Sequence, residues 1–191
     1  MHILAIYGSP RKDGFSSRLH NEFIIPFERR GFLVSRVFAY DLNIFPCQAC
    51  NYCKENKSCF LKDDMTDIYR LIEEADIISI SSPLYFSSVP SPLKAIIDRT
   101  QCLWEKYRTE GKYNNSHRYG FFICTGGSIY QDMFCGVQQM MRHFFNGINL
   151  SFDVSDFVFV NNTDSMEKIP EEKILQINYS AAKYIRLITE D

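Results

Sequence analysis

Four cysteines, Cys47, Cys50, Cys53 and Cys59, fall within thirteen residues in the spacing C-x2-C-x2-C-x5-C. Thiolates gathered this tightly can surround one metal centre. The compact triplet is the spacing with which bacterial ferredoxins hold three irons of a four-iron cluster. The longer gap to Cys59 lets the chain return to the fourth iron. Structural zinc sites more often split their ligands into two separated pairs, so zinc fits this run less well. Four reduced thiols that bind nothing and pack as small hydrophobes are the third reading. The spacing favours iron–sulfur and leaves the other two open.

Three further segments carry residue types suited to a ligand, and each directly follows an apolar run. The first is Gly8-Ser9-Pro10-Arg11-Lys12-Asp13-Gly14-Phe15-Ser16-Ser17. Its glycines allow a sharp turn, its serines offer hydroxyls, and Arg11 and Lys12 add positive charge. A helix beginning here would present free amides and its positive dipole end, which suits a terminal phosphate. It is not a Walker loop, because Phe15 stands where Lys is required, and it lacks the GxGxxG spacing. The bland alternative is a strand-to-helix turn with a serine cap. The second segment, Ser81 to Ser88, places Pro83, Leu84, Tyr85 and Phe86 where they could lie against a planar ring. The third, Cys124-Thr125-Gly126-Gly127-Ser128, permits close backbone approach. Alone, each of these two reads as an ordinary turn. Together the three imply a ligand with a phosphate at one end and a flat heterocycle at the other, the shape of flavin mononucleotide (FMN).

Such segments need a scaffold that brings them to one edge. Strand-like runs cover His2 to Tyr7, Phe32 to Ala39, Asp76 to Ser81, Tyr119 to Thr125 and Phe157 to Val160. Helical patterns cover Ser16 to about Arg30, Met65 to Glu74, Ser91 to about Trp104, Met133 to Asn146 and Pro170 to Thr189. Pro26 should kink or shorten the first helix. Asp63 or Asp64 is available to cap the second. Glu105 to His117 is polar and reads as a loop. Alternating strands and helices predict an α/β fold, a doubly wound five-stranded parallel sheet of the flavodoxin-like kind with order 2-1-3-4-5. Ligands then bind at the carboxyl ends of the strands, where the three segments lie.

The whole chain, 1–191, reads as one domain with a cysteine-rich insertion from Pro46 to about Lys62. Apolar residues make up 46% of it, enough for a full core. A net charge of −2 gives no electrostatic case for nucleic acid or an anionic membrane. No apolar run reaches the roughly 18–20 residues of a membrane span. MHILAIYGSP shows no secretory signal, and seven cysteines then argue for a reducing, cytoplasmic setting. Cys102, Cys124 and Cys135 read as buried thiols, and His2, His20, His117 and His143 as packing or surface residues. Asp98-Arg99 reads equally as part of a flavin rim or subunit contact and as an exposed helical ion pair. No side chain is required as an acid or base, since a redox cofactor carries its own chemistry.

GSPRKDGFSSRL resembles the GSPRKNGNT opening of the NADPH-dependent FMN reductase family. Pro46 to Asp64, followed by ADIISISSPLYFSSVPSPLKAIIDR, is similar to its iron–sulfur flavoprotein subgroup, which carries the same compact cysteine spacing. The resemblance runs from Met1 to about Tyr130. It implies bound FMN, homodimers or homotetramers, and flavin electron transfer. By match to the motif, Ser9, Arg11, Gly14, Ser16 and Ser17 hold the phosphate. Pro83, Leu84, Tyr85 and Phe86 flank the ring, Thr125 and Gly126 contact its far side, and the four cysteines ligate a 4Fe-4S cluster. Phe15 stands where the family usually has Asn, and Ala49 where many relatives have Gly. With a cluster, ferredoxin is the natural donor. Without one, NAD(P)H reduction of flavin or quinone is the natural reaction. A redox carrier or sensor without a substrate is the non-enzymatic alternative.

Overall fold

The computed structural model of the chain describes residues 1–111 and 117–190. Strands β1 (His2–Tyr7), β2 (Leu33–Phe38), β3 (Ile77–Pro83), β4 (Tyr119–Thr125) and β5 (Val158–Val160) form one sheet. Every pairing is parallel and the order is β2-β1-β3-β4-β5, as the sequence predicts. The central strands are apolar on both faces because helices cover both faces. Ile3, Ala5 and Tyr7 of β1 pack toward α1 (Phe15–Glu28) and α7 (Glu171–Thr189). Leu4 and Ile6 pack on the other side, toward α3 (Met65–Glu74), α4 (Ser91–Arg99), α5 (Gln101–Glu110) and α6 (Cys135–Gly147). This is the two-residue alternation of a strand, with both halves buried. Phe23 stacks on Phe121 with ring centroids 3.9 Å apart, fixing α1 to β4. The Tyr184 hydroxyl donates to the Gly120 carbonyl at 2.9 Å and fixes α7 to the same strand.

Several boundaries differ from the sequence reading, each for a local reason. The first helix ends at Glu28 rather than Arg30; Pro26 lies in its last turn and shortens it without breaking it. Buried Phe23 and Phe27 on either side hold the chain in register there. The helix from Ser91 divides at Thr100, whose hydroxyl donates to the Ile97 carbonyl at 2.6 Å. Glu105 to Glu110, expected as loop, continue α5; residues 112–116 of that expected loop lie outside the described residues. Glu105 and Tyr107 are buried in α5, Glu105 paired with Arg108 at 2.9 Å. The cysteine segment contains a one-turn helix, α2 (Tyr52–Asn56), bracketed by left-handed Asn51 and Lys57. No helix among the described residues is long and apolar enough to cross a membrane.

Candidate functional site

The strand order changes direction between β1 and β3, and a crevice at that switch point is where such sheets bind ligands. At the carboxyl end of β1 the chain turns from Gly8 into α1. The Ser9 hydroxyl accepts from the Arg11 amide at 3.1 Å, and the Ser17 hydroxyl donates to the Arg11 carbonyl at 3.1 Å. The Gly14 amide donates to that same carbonyl at 3.2 Å. The loop is thus wound around the Arg11 backbone. The first intrahelical bond of α1 runs from the Arg18 amide to the Gly14 carbonyl. The amides of Phe15, Ser16 and Ser17 therefore have no intrahelical partner, no side chain caps them, and no acid lies in the first turn. The Ser16 hydroxyl and the Arg11 guanidinium also have no partner among the described residues. Lys12 does: it pairs with Asp41 and lies over the Phe38 ring. Of the two basic residues, Arg11 is the one left for an anion.

At the end of β3, Pro83 and Leu84 are partly buried while Tyr85 and Phe86 are exposed. The Tyr85 amide donates to the Ser88 carbonyl at 2.9 Å and the Ser88 amide returns to Tyr85 at 3.0 Å. Between them Phe86 and Ser87 sit at φ 48° and 60°. This is a two-residue turn with both central residues left-handed, a geometry that favours Asn-Gly. A Phe held there costs about 1–2 kcal/mol relative to a relaxed backbone, yet its ring is fully exposed. The turn rests on α6: a Cβ at Gly136 would come within 2.7 Å of the Ser87 carbonyl oxygen.

The third loop is tied to the second. The Leu84 amide donates to the Thr125 carbonyl at 2.7 Å. Thr125 is buried, and the Gly126 amide donates to the Val160 carbonyl at 2.8 Å. The Thr163 amide returns to the Gly126 carbonyl at 3.1 Å. A neighbour the sequence reading missed is Asp164, whose carboxylate lies where a Cβ on Gly127 would be, 2.3 Å from its Oδ2. Ile129 and Tyr130 follow, both exposed. The loops after β1, β3 and β4 therefore meet at one sheet edge as expected, with exposed aromatic surface beside free amides.

The four cysteines wall a separate cavity of about 460 Å3, together with Arg99, Cys102 and Glu105. Cys47 and Cys50 are exposed, Cys53 and Cys59 partly buried. Among the described residues no three His, Cys, Asp or Glu side chains converge closely enough to hold one metal ion. Cys102 is a fifth thiol at this wall, and burial pushes its pKa up to about 11. Cys124 is buried as expected, but Cys135 is exposed on α6.

Arg99 is not the exposed half of a helical ion pair. It is 2% exposed, whereas Asp98 beside it pairs on the surface with Lys94. Arg99 Nη1 donates to Asp63 Oδ2 at 2.7 Å and to the Phe45 carbonyl at 2.8 Å. Nη2 donates to Asp63 Oδ1 at 3.1 Å and to the Leu61 carbonyl at 3.2 Å. Both ends of the cysteine segment are thereby clamped onto one guanidinium at the end of α4. Burial works against the charge of each partner and is the largest single influence on each, but the hydrogen bonds and charges around them together outweigh it. The Asp63 carboxyl is held below the usual range, helped by the Phe45 and Met65 amides, and the Arg99 pKa is raised. Nε of Arg99 is buried and has no partner among the described residues.

Comparison with known proteins agrees with this fold. The model of the family described as NADPH-dependent FMN reductase matches residues 1–164. An iron-sulfur flavoprotein of Archaeoglobus fulgidus is 34% identical over 116 residues, covering 61% of this chain and 53% of that protein. A second from the same organism is 31% identical over 151 residues, covering 76% and 73%. The chain spans about half to two thirds of the length of several such relatives. In fold it is similar to an NAD(P)H:quinone oxidoreductase from Methanothermobacter marburgensis, with a TM-score of 0.66 over 95% of this chain and 94% of that one at 17% identity. With a family model matched from the first residue through β5, the chain belongs to the NADPH-dependent FMN reductase family.

Proposed function

We propose that the chain is a flavin oxidoreductase that binds FMN at the carboxyl edge of its sheet. The observation that carries this reading is the α1 N-terminus, where three amides, the Ser16 hydroxyl and the Arg11 guanidinium have no partner among the described residues. These suit the FMN phosphate. The Ser17 hydroxyl spends its only hydrogen on Arg11, so Ser17 serves the phosphate through its amide. Ser9 and Gly14 shape the turn. Pro83, Leu84, Tyr85 and Phe86 form one wall for the ring, and Thr125 and Gly126 the other. Bound FMN supplies the two-electron and one-electron chemistry; the chain's own residues hold it, orient it and shield one face from water. Arg11→Ala with Ser16→Ala should weaken FMN at least tenfold more than riboflavin, which lacks the phosphate. Equal losses for both ligands would place the phosphate elsewhere.

The cysteine cavity is read as the seat of one 4Fe-4S cluster held by Cys47, Cys50, Cys53 and Cys59. A single zinc ion needs its sulfurs about 2.3 Å from one centre, whereas a four-iron cube takes one thiolate at each corner and spreads them wider. Four thiols around a roomy cavity, beside a buried cation with a spare donor, suit the larger anionic group. The relatives named iron-sulfur flavoproteins support the same reading. NAD(P)H or ferredoxin is the donor in this account. Steady-state turnover by FMN-loaded protein, measured with NAD(P)H and separately with reduced ferredoxin as donor, separates a reductase from a carrier: no turnover from either donor to any quinone, flavin or oxygen acceptor would leave the carrier.

A further inference from the structure

We propose that Arg99 is a positioning residue for the cluster, its Nε–H donating to a sulfur of the group that the four cysteines hold. The inference rests on the cluster reading above and adds to it. A guanidinium has five N–H donors. Four of those in Arg99 are engaged, two with the Asp63 carboxylate and one each with the Phe45 and Leu61 carbonyls. The fifth, at Nε, is fully buried and has no partner among the described residues. Leaving a buried charged donor unmade is costly, and native proteins do so rarely. The same side chain forms part of the wall shared with Cys47, Cys50, Cys53 and Cys59. A sulfur-rich anion in that cavity is the chemistry that completes it.

The arrangement is directional. Asp63 and the two carbonyls fix the plane of the guanidinium from one end, so the remaining donor is not free to rotate. The carbonyls belong to residues on either side of the cysteine run, Phe45 before it and Leu61 after it. One cation therefore shapes the segment and supplies a hydrogen bond to what the segment holds. Donors and positive charge beside a cluster favour its more negative, reduced form and raise its potential.

The test uses full-length protein prepared anaerobically, labelled with 15N-arginine, and reduced by one electron. Iron and acid-labile sulfide are counted first. Pulsed electron paramagnetic resonance should then show one weakly coupled arginine 15N at the cluster spin. Arg99→Lys keeps the charge near Asp63 but removes Nε–H; where it loads iron it should lose that coupling and shift the midpoint potential downward. Iron and sulfide present with no 15N coupling would overturn the role of Arg99 while leaving the cluster reading intact. So would an iron-loaded Arg99→Lys protein with an unchanged potential. Protein with no iron and sulfide would overturn both. Because the coupling is read in the unsubstituted chain, the result stands even where Arg99→Lys fails to fold.

Discussion

His20 lies in α1 between two serines of β3, its Nδ1 3.0 Å from the Ser81 hydroxyl and its Nε2 2.8 Å from that of Ser79. Burial, with a smaller push from Arg36, lowers its pKa to about 3. The unfolded chain takes up a proton on this residue below about pH 6.5, and the folded chain does not. Stability contributed by neutral His20 is thus fully present above about pH 6.5 and declines as pH falls toward 3, by an amount on the order of 4 kcal/mol. His20→Gln keeps an acceptor and a donor for the serines but cannot titrate. Its urea midpoint should change less between pH 6.5 and 4 than that of the unsubstituted protein; parallel profiles would refute the assignment. Phe86 makes the opposite trade, holding a strained φ of 48° while exposing its ring. Phe86→Asn should stabilise the apoprotein by about 0.5–1 kcal/mol, since Asn tolerates the left-handed turn, and should weaken FMN. A stabilised protein with unchanged FMN affinity would remove Phe86 from the ring wall.

At the scale of elements, α4 connects the two sites. Its first residue, Ser91, follows the turn proposed to flank the flavin ring, and its last, Arg99, clamps the cysteine segment. Asp63→Ala would leave a buried guanidinium without its counter-ion, which typically costs about 3–5 kcal/mol. Chemical unfolding should show that loss, and a change below about 1 kcal/mol would mean that the clamp contributes little to folding. The depressed Asp63 carboxyl also adds an acid limb, since its contribution is present above its unfolded pKa and is lost as pH falls through the folded value. The strands and the turns that follow them could be read from the sequence because their signals are local: a doubly buried run such as HILAIY, then glycines and serines at a helix start. The clamp could not, because Asp63 lies 36 positions from Arg99 and each looks like an ordinary surface charge. The polar stretch from Glu105 likewise hid a helix. Glu105 is buried with its carboxylate paired to Arg108, and Tyr107 is buried as well, neither of which polarity alone reveals.

At the scale of the whole molecule, exposed Tyr85, Phe86, Ile129 and Tyr130 gather at the loops that end β3 and β4. Apolar surface of this kind marks a ligand or an interface between chains. We read it as the rim of the flavin site in a homodimer or a dimer of dimers, with α4 and α5 contributing contacts. Sedimentation should give a species of at least two chains at micromolar concentration, and a monomer would contradict it. The measurement that bears most directly on the account is cofactor content in protein purified without oxygen: flavin, iron, acid-labile sulfide and zinc per chain. The account predicts one FMN with about four irons and as many sulfides per chain. Protein that holds no FMN when FMN is supplied would contradict the central claim. FMN together with zinc, or with no metal at all, would retain the flavin site and reject the cluster.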